Sequence, residues 1–245
     1  MRTAVISDIH ANLEALTAVL ERTKALKADE LVCLGDMVGY NADPNETLGI
    51  LRSEKALCVL GNHDACAAGL EEPDDFNPLA RAAVFWTRDR LTEKNRQFLA
   101  ELPRERRVRD FFAFHGSVHD TDRYILYRED AVHNFRLLAG LPNSPLLGFF
   151  GHTHLMTALI EQQGTISTIA VTEELELAPG KRYLINPGSV GQPRDGDPRA
   201  GFLVYDDRDR RITFHRVEYD IRTCQDKIIR AGLPPRLAER LAWGM

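Results

Sequence analysis

The amino-acid sequence predicts an α/β protein. Three observations carry this reading. Apolar runs near residues 3–7, 31–36 and 56–60 alternate with stretches of helical periodicity. Each run ends on residues that can ligate a cation or move a proton, and strand-like runs separated by turn residues return after residue 108.

The first run leads through Asp8 and His10 into a helix with the apolar stripe Leu13, Leu16, Val19, Leu20 and Leu26, and Asn12 is placed as its amino-terminal cap. The second, Leu31-Val32-Cys33-Leu34-Gly35-Asp36, reads as a buried strand. Its glycine lets the backbone turn and leaves Asp36 at the carboxyl end, where α/β sheets put their chemistry. Asp43-Pro44-Asn45-Glu46 predicts a helix start with a cap, a proline at the first helical position and a glutamate that closes a capping box. The third run then completes a β-α-β-α-β unit with right-handed crossovers.

Residues 65–103 read as a helical insertion beside the site, with Asn77-Pro78 opening one helix and Thr92 capping another. One strand is expected over 108–114, running into His115, and a short helix after Asp130 carries Val132, Phe135 and Leu138. A strand over 146–150 ends in Gly151-His152-Thr153-His154. An antiparallel meander is expected over 156–161, 165–171, 182–185, 200–205 and 212–217, and helices over 221–231 and 235–243 follow. With no repeat, low-complexity tract or linker, one domain over residues 1–245 is expected.

A net charge of -5, with both signs interspersed, gives no global field that would recruit nucleic acid or an anionic membrane. The run Arg104-Glu105-Arg106-Arg107-Val108-Arg109 reads as a solvated surface turn. No leader or bilayer-length apolar segment is visible. Cys33, Cys58, Cys66 and Cys224 lack paired metal spacing, so reduced structural thiols and a cytoplasmic location are expected.

The chemistry concentrates at strand ends: Asp8, His10, Asp36, Asn62, His63, His115, His152 and His154. Any one of these has an ordinary structural explanation, as a cap, a turn former or a core histidine. Together they place five of the eight histidines directly after apolar runs, beside two carboxylates and an amide, which structure alone does not require. Carboxylate, imidazole and amide donors suit manganese, iron, zinc, cobalt or nickel rather than a thiolate site. Asp36 could bridge two such ions with both oxygens and so offset their repulsion, and a water between them would lose its proton readily.

In order, Asp8-Ile9-His10, Gly35-Asp36, Gly61-Asn62-His63-Asp64, His115 and Gly151-His152-Thr153-His154 resemble the five signature blocks of the calcineurin-like metallophosphoesterases. Gly39-Tyr40 and Asn186-Pro187-Gly188-Ser189-Val190 resemble the small bacterial and archaeal single-domain phosphodiesterase branch, which is related to the diadenosine tetraphosphatases and protein phosphatases. The resemblance implies a four-layer αββα sandwich of two mixed sheets with a two-metal site at one edge. It assigns Asp8, His10, Asp36 and His154 to the first ion and Asp36, Asn62, His115 and His152 to the second. The cofactor implied is a pair of divalent transition-metal ions, manganese first. His63 matches the block's non-ligand histidine, expected in its protonated form beside the leaving group. Asp64 either orients His63 or caps a helix.

The implied reaction is hydrolysis of a phosphate ester by a metal-bridging hydroxide. The substrate expected is small or nucleotide-derived, with no membrane partner and no nucleic acid. Tetraphosphatase or protein phosphatase activity is the alternative, and a low-turnover regulatory or scaffold protein on the same fold is a third reading. Those two groups carry an Asp-Arg-Gly continuation after the metal aspartate, whereas this sequence has Met37-Val38-Gly39-Tyr40-Asn41. Substrate contacts are therefore sought elsewhere. Asn12 stands at a helix start that favours phosphate or serves as a plain cap. Tyr40 stacks on an aryl group or packs its loop, and Gln192 and Arg194 approach substrate or are simply loop polarity.

Overall fold

In a computed structural model describing residues 1–171 and 173–245, two six-stranded mixed sheets pack face to face. The first contains β1 (Arg2–Ile6), β2 (Glu30–Cys33), β3 (Leu57–Cys58), β9 (Glu174–Glu176), β11 (Ala200–Asp206) and β12 (Arg211–Val217), in the order β3-β2-β1-β11-β12-β9. The second contains β4 (Glu105–Val108), β5 (Phe111–Phe114), β6 (Leu147–Phe149), β7 (Met156–Gln162), β8 (Thr165–Ile169) and β10 (Arg182–Pro187), in the order β4-β5-β6-β10-β7-β8. Parallel pairing of β1, β2 and β3 confirms the expected β-α-β-α-β start, whose crossovers are α1 (Leu13–Ala25) and α2 (Pro44–Ser53).

Side-chain alternation builds the layers. Val5, Val32, Leu34, Phe111, Phe149, Tyr183, Ile185, Leu203 and Tyr205 fill the space between the sheets. Their neighbours point the other way: Ile6, Cys33, Phe202 and Val204 pack with Leu16 and Leu51 of the crossover helices. On the far side, Phe112, Phe114 and Leu184 meet Phe135 and Leu138 of α6 (Arg128–Gly140). This is the αββα sandwich.

Several local expectations change. The meander divides between the sheets, since β10 joins β6 in parallel and β7 antiparallel, whereas β11 crosses over to pair with β1. Apolar alternation is the same in either sheet and does not encode that division. The single strand over 108–114 is a hairpin of β4 and β5. The arginine-rich run is therefore largely an edge strand rather than a turn, and charge is a common protection for an edge. Asp43 makes no side-chain cap bond; its carboxylate accepts from Lys227 Nζ at 2.9 Å, so the expected capping box is not formed.

The insertion forms as α3 (Asn62–Ala68), α4 (Pro78–Arg90) and α5 (Glu93–Ala100), with Asn77 and Thr92 capping as expected. Helices α7 (Ile221–Arg230) and α8 (Pro235–Glu239) follow, then a 3-10 turn over Arg240–Trp243. They form a further apolar cluster with α4 that includes Tyr40.

Candidate metal centre

Five strands deliver the candidate ligands from their carboxyl ends. Beyond β1 lie Asp8 and His10, beyond β2 Asp36, and beyond β3 Asn62; β5 and β6 of the other sheet lead to His115 and to His152 and His154. Backbone bonds hold neighbouring strand ends together within each sheet, from Asp8 N–H to the Gly35 carbonyl at 3.1 Å and from His10 N–H to the Asp36 carbonyl at 2.9 Å in the first, and from Gly151 N–H to the His115 carbonyl at 2.7 Å in the second.

Two groups of ligating atoms result: Asp8, His10, Asp36 and His154 form one, and Asp36, His115 and His152 form the other, all buried. Asn62 joins the second through its Oδ1, 3.2 Å from His115 Nε2. Asp36 belongs to both, though not in the way expected. Its Oδ1 accepts the His63 backbone N–H at 2.9 Å, so Oδ2 alone faces both groups, 3.5 Å from His10 Nε2 and 3.3 Å from His115 Nε2.

Backbone carbonyls fix the imidazole tautomers. His10 Nδ1 lies 3.0 Å from the Val38 carbonyl, His115 Nδ1 2.8 Å from that of Leu34, His154 Nδ1 2.6 Å from that of Gln192, and His152 Nε2 2.9 Å from that of Asp122. A carbonyl can only accept, so each of these nitrogens carries the proton and the other is turned to the centre. Burial holds His10 and His154 well below the usual histidine range and His152 at about 3, so all three are neutral near pH 7. His10 Nε2 and His154 Nε2 stand 3.2 Å apart and neither can donate to the other. Imidazole nitrogen, carboxylate oxygen and amide oxygen together make a donor set that fits a divalent transition metal.

Proton bookkeeping differs between the groups. Burial pushes Asp8 up to about 7, partly countered by His115. For His115, burial is outweighed by the carboxylate of Asp36, which raises the imidazole to about 9. Asp36 itself stays well below the usual range, because His115 and His63 overcome its own burial.

The backbone at the site is unusual. Asp8, His10, Asp36, His152 and His154 all have φ between 51° and 65°. A non-glycine residue in this region costs on the order of 1 kcal/mol or more, and such residues cluster at functional sites. Close approach adds a further demand at two glycines. A Cβ on Gly61 would overlap Asp36 Oδ1, and one on Gly39, at φ 92°, would lie 2.5 Å from His63 Nδ1.

Other expected roles change. Asn12 accepts from Ala15 N–H at 3.0 Å and donates to the Gly191 carbonyl at 3.0 Å, so both ends of its amide are used in the fold, as the cap reading expects. Asp64 does not orient His63: its Oδ1 accepts from Met37 and Val38 N–H at 2.9 and 3.1 Å, and its Oδ2 from Gly61 N–H at 3.1 Å. It is the carboxylate that shapes the loop after Asp36 and caps α3. His63 Nδ1 has no partner among the described residues, and burial lowers this imidazole to about 4, so the ring is neutral rather than protonated.

A cavity of about 290 Å³ opens onto the centre and is lined by Asp36, Asn62, His63 and His152 from the ligand region. Tyr40 forms its floor, with its ring 4.4 Å from that of His10 and 4.5 Å from that of His63. Arg194 lies beside it, donating from Nη2 to Tyr40 Oη at 3.3 Å and to Gln192 Oε1 at 3.2 Å. A larger depression, about 450 Å³ near Met156, Phe214 and Arg216, is lined by none of the candidate ligands.

Sequence reasoning missed three wall residues. Tyr124 stacks on His152 with ring centroids 3.9 Å apart, and Phe76 packs 4.7 Å from His63. Asp122 presents its carbonyl to His152 and its carboxylate to the Asn62 amide, which turns Asn62 Oδ1 inward. Only Phe76 left a signal. It precedes the Asn77 cap, but the position it would staple is Arg81, so an apolar residue there needs another partner.

The profile of the calcineurin-like phosphoesterase superfamily domain matches residues 1–210. The chain belongs to this superfamily. It is similar to the crystal structure of a metallophosphoesterase from Sphaerobacter thermophilus, at 40% identity and TM-score 0.85, covering 100% of this chain and 99% of that one. An uncharacterized protein of Methanocaldococcus jannaschii, MJ0912, is 38% identical over 98% of this chain and 97% of its own length. The hypothetical protein PH1004 of Pyrococcus horikoshii has the same fold at 20% identity, with TM-score 0.82 and coverage of 100% and 98%. The superfamily is metal-dependent, and the clustered aspartate and histidine side chains of this chain could bind metal.

Proposed function

We propose that this protein hydrolyses small phosphate esters, including nucleotide-derived ones, at two divalent transition-metal ions held by the two ligand groups. The observation that carries the reading is Asp36 Oδ2: one carboxylate oxygen faces both ligand groups beneath a cavity that also exposes His63. Asp8, His10, Asp36 and His154 would hold one ion, and Asp36, Asn62, His115 and His152 the other. Bound there, the ions would polarise a phosphoryl group and lower the pKa of a bound water.

The chain's own residues supply the rest. Carbonyls of Val38, Leu34, Gln192 and Asp122 keep the histidine lone pairs aimed at the centre. His63 lies on the cavity wall as a neutral imidazole, a form that can donate an N–H to the departing ester oxygen. Phe76 and Tyr40 exclude water from its ring faces. Donors of oxygen and imidazole type favour manganese, iron, zinc, cobalt or nickel. The four cysteines, unpaired and buried, fit a reducing compartment such as the cytoplasm.

The test is a panel of phosphomonoesters, phosphodiesters and dinucleoside polyphosphates offered to protein loaded with each of these metals. Turnover of a small ester that stops on chelation and returns with metal is expected. No turnover of any member would favour the low-turnover regulatory reading.

A further inference from the structure

The loop that follows Asp36 contains no cation, yet the cavity does. Among its described lining residues Arg194 is the only lysine or arginine, and it arrives from the loop after Gly191. The two Nη2 hydrogen bonds of Arg194 go to Tyr40 Oη and Gln192 Oε1, both neutral oxygens. Its Nε is buried and has no hydrogen-bond partner among the described residues. A buried guanidinium N–H without an acceptor is costly to maintain, and it would suit a negatively charged oxygen of a phosphoryl group.

It shares the cavity wall with Asp36, Asn62, His63 and His152. Tyr40, ordered between His10 and His63, fixes the guanidinium from below. The outer part of the cavity has the opposite character. Asp75 and Asp122 are exposed there, beside Phe76 and Tyr124.

On the reading of the site as a phosphoesterase, we propose that Arg194 anchors the phosphoryl group of the substrate, and that the acidic, aromatic mouth selects esters with one phosphoryl group and a neutral flat leaving group over polyphosphate chains. A second or third phosphate extending outward would meet Asp75 and Asp122 with no further cation on the cavity wall, whereas an aryl or nucleobase group would meet Phe76 and Tyr124.

The test uses manganese-loaded wild type, Arg194→Met, Arg194→Lys and Asp75→Asn. Affinity for inorganic phosphate is measured by equilibrium dialysis, which requires no turnover. Values of kcat/KM are measured for p-nitrophenyl phosphate, bis(p-nitrophenyl) phosphate and diadenosine tetraphosphate. Arg194→Met is expected to keep its metal content and to bind phosphate at least tenfold more weakly, and Arg194→Lys at least threefold more weakly because it lacks the planar fork. Wild type should favour the better p-nitrophenyl ester over the tetraphosphate by tenfold or more, and Asp75→Asn should narrow that gap. Unchanged phosphate affinity in both arginine variants, or preference for the tetraphosphate, overturns the proposal. Failure of the phosphoesterase reading has a different signature: no ester is turned over by wild type, while the phosphate measurement still reports on Arg194.

Discussion

The inner and outer halves of the cavity are built on opposite principles. In the inner half six of the seven ligating side chains are held by the backbone, four histidines by carbonyls, Asp36 by the His63 N–H and Asp8 by the His152 N–H, while Asn62 is held by the Asp122 carboxylate. Five of those residues accept a left-handed backbone to point inward. In the outer half Arg194 keeps an unpartnered Nε, His63 an unpartnered Nδ1, and Tyr124 is exposed. Groups that must hold a fixed charge are satisfied by the fold, and groups left unsatisfied are those that a ligand would complete. The difference separates where ions would bind from where substrate identity would be decided.

The sharpest way to break this division is at its shared atom. Asp36→Asn should lose both ions, seen by metal analysis, and with them all turnover. His63→Ala, from the outer half, should keep both ions and lose roughly 10²- to 10³-fold in kcat, the usual cost of removing a hydrogen-bond donor aimed at charge that develops in the transition state. Full metal occupancy in Asp36→Asn would mean that the two groups are not bridged.

A second effect concerns protons. In the metal-free centre His10, His152 and His154 are already neutral, whereas Asp8 titrates at about 7 and His115 at about 9. Ion and proton compete for the same atoms, so metal affinity should rise with pH through about 7. Binding should release close to two protons at pH 6, from Asp8 and His115, and close to one at pH 8, from His115 alone. Calorimetry in two buffers of different ionisation enthalpy counts them. A release independent of pH would show that Asp8 is not a ligand.

The smallest effect lies outside both halves. Asn12→Ala removes a helix cap and should cost about 1 kcal/mol in denaturant unfolding, with phosphate affinity unchanged. A substantial loss of phosphate affinity would return Asn12 to the substrate side.

The inner half was legible in the sequence, and the outer half only in part, through His63, Tyr40 and Arg194. An apolar run that ends in Asp or His marks a strand terminus locally, so Asp8, His10, Asp36, Asn62, His115, His152 and His154 could be read in place. Their left-handed backbone had no comparable signal, although Asp and His tolerate that region better than most residues. The division of later strands between two sheets depends on long-range pairing, such as Thr3 with Tyr205, which alternation does not specify. Tyr124 and Asp122 reach the wall only because the loop between Gly116 and α6 folds back on His152, a tertiary event with no periodicity of its own. Asp64 shows the limit within a motif: its neighbour in sequence is His63, but its oxygens serve the backbone amides of Met37, Val38 and Gly61.

The single inward oxygen of Asp36 has a thermodynamic consequence. Because Oδ2 faces both ligand groups, two ions bound there would share it, and occupancy of one group would change the charge and the orientation met at the other. The two affinities would then be linked quantities, and a binding curve measured on this protein would describe both groups together.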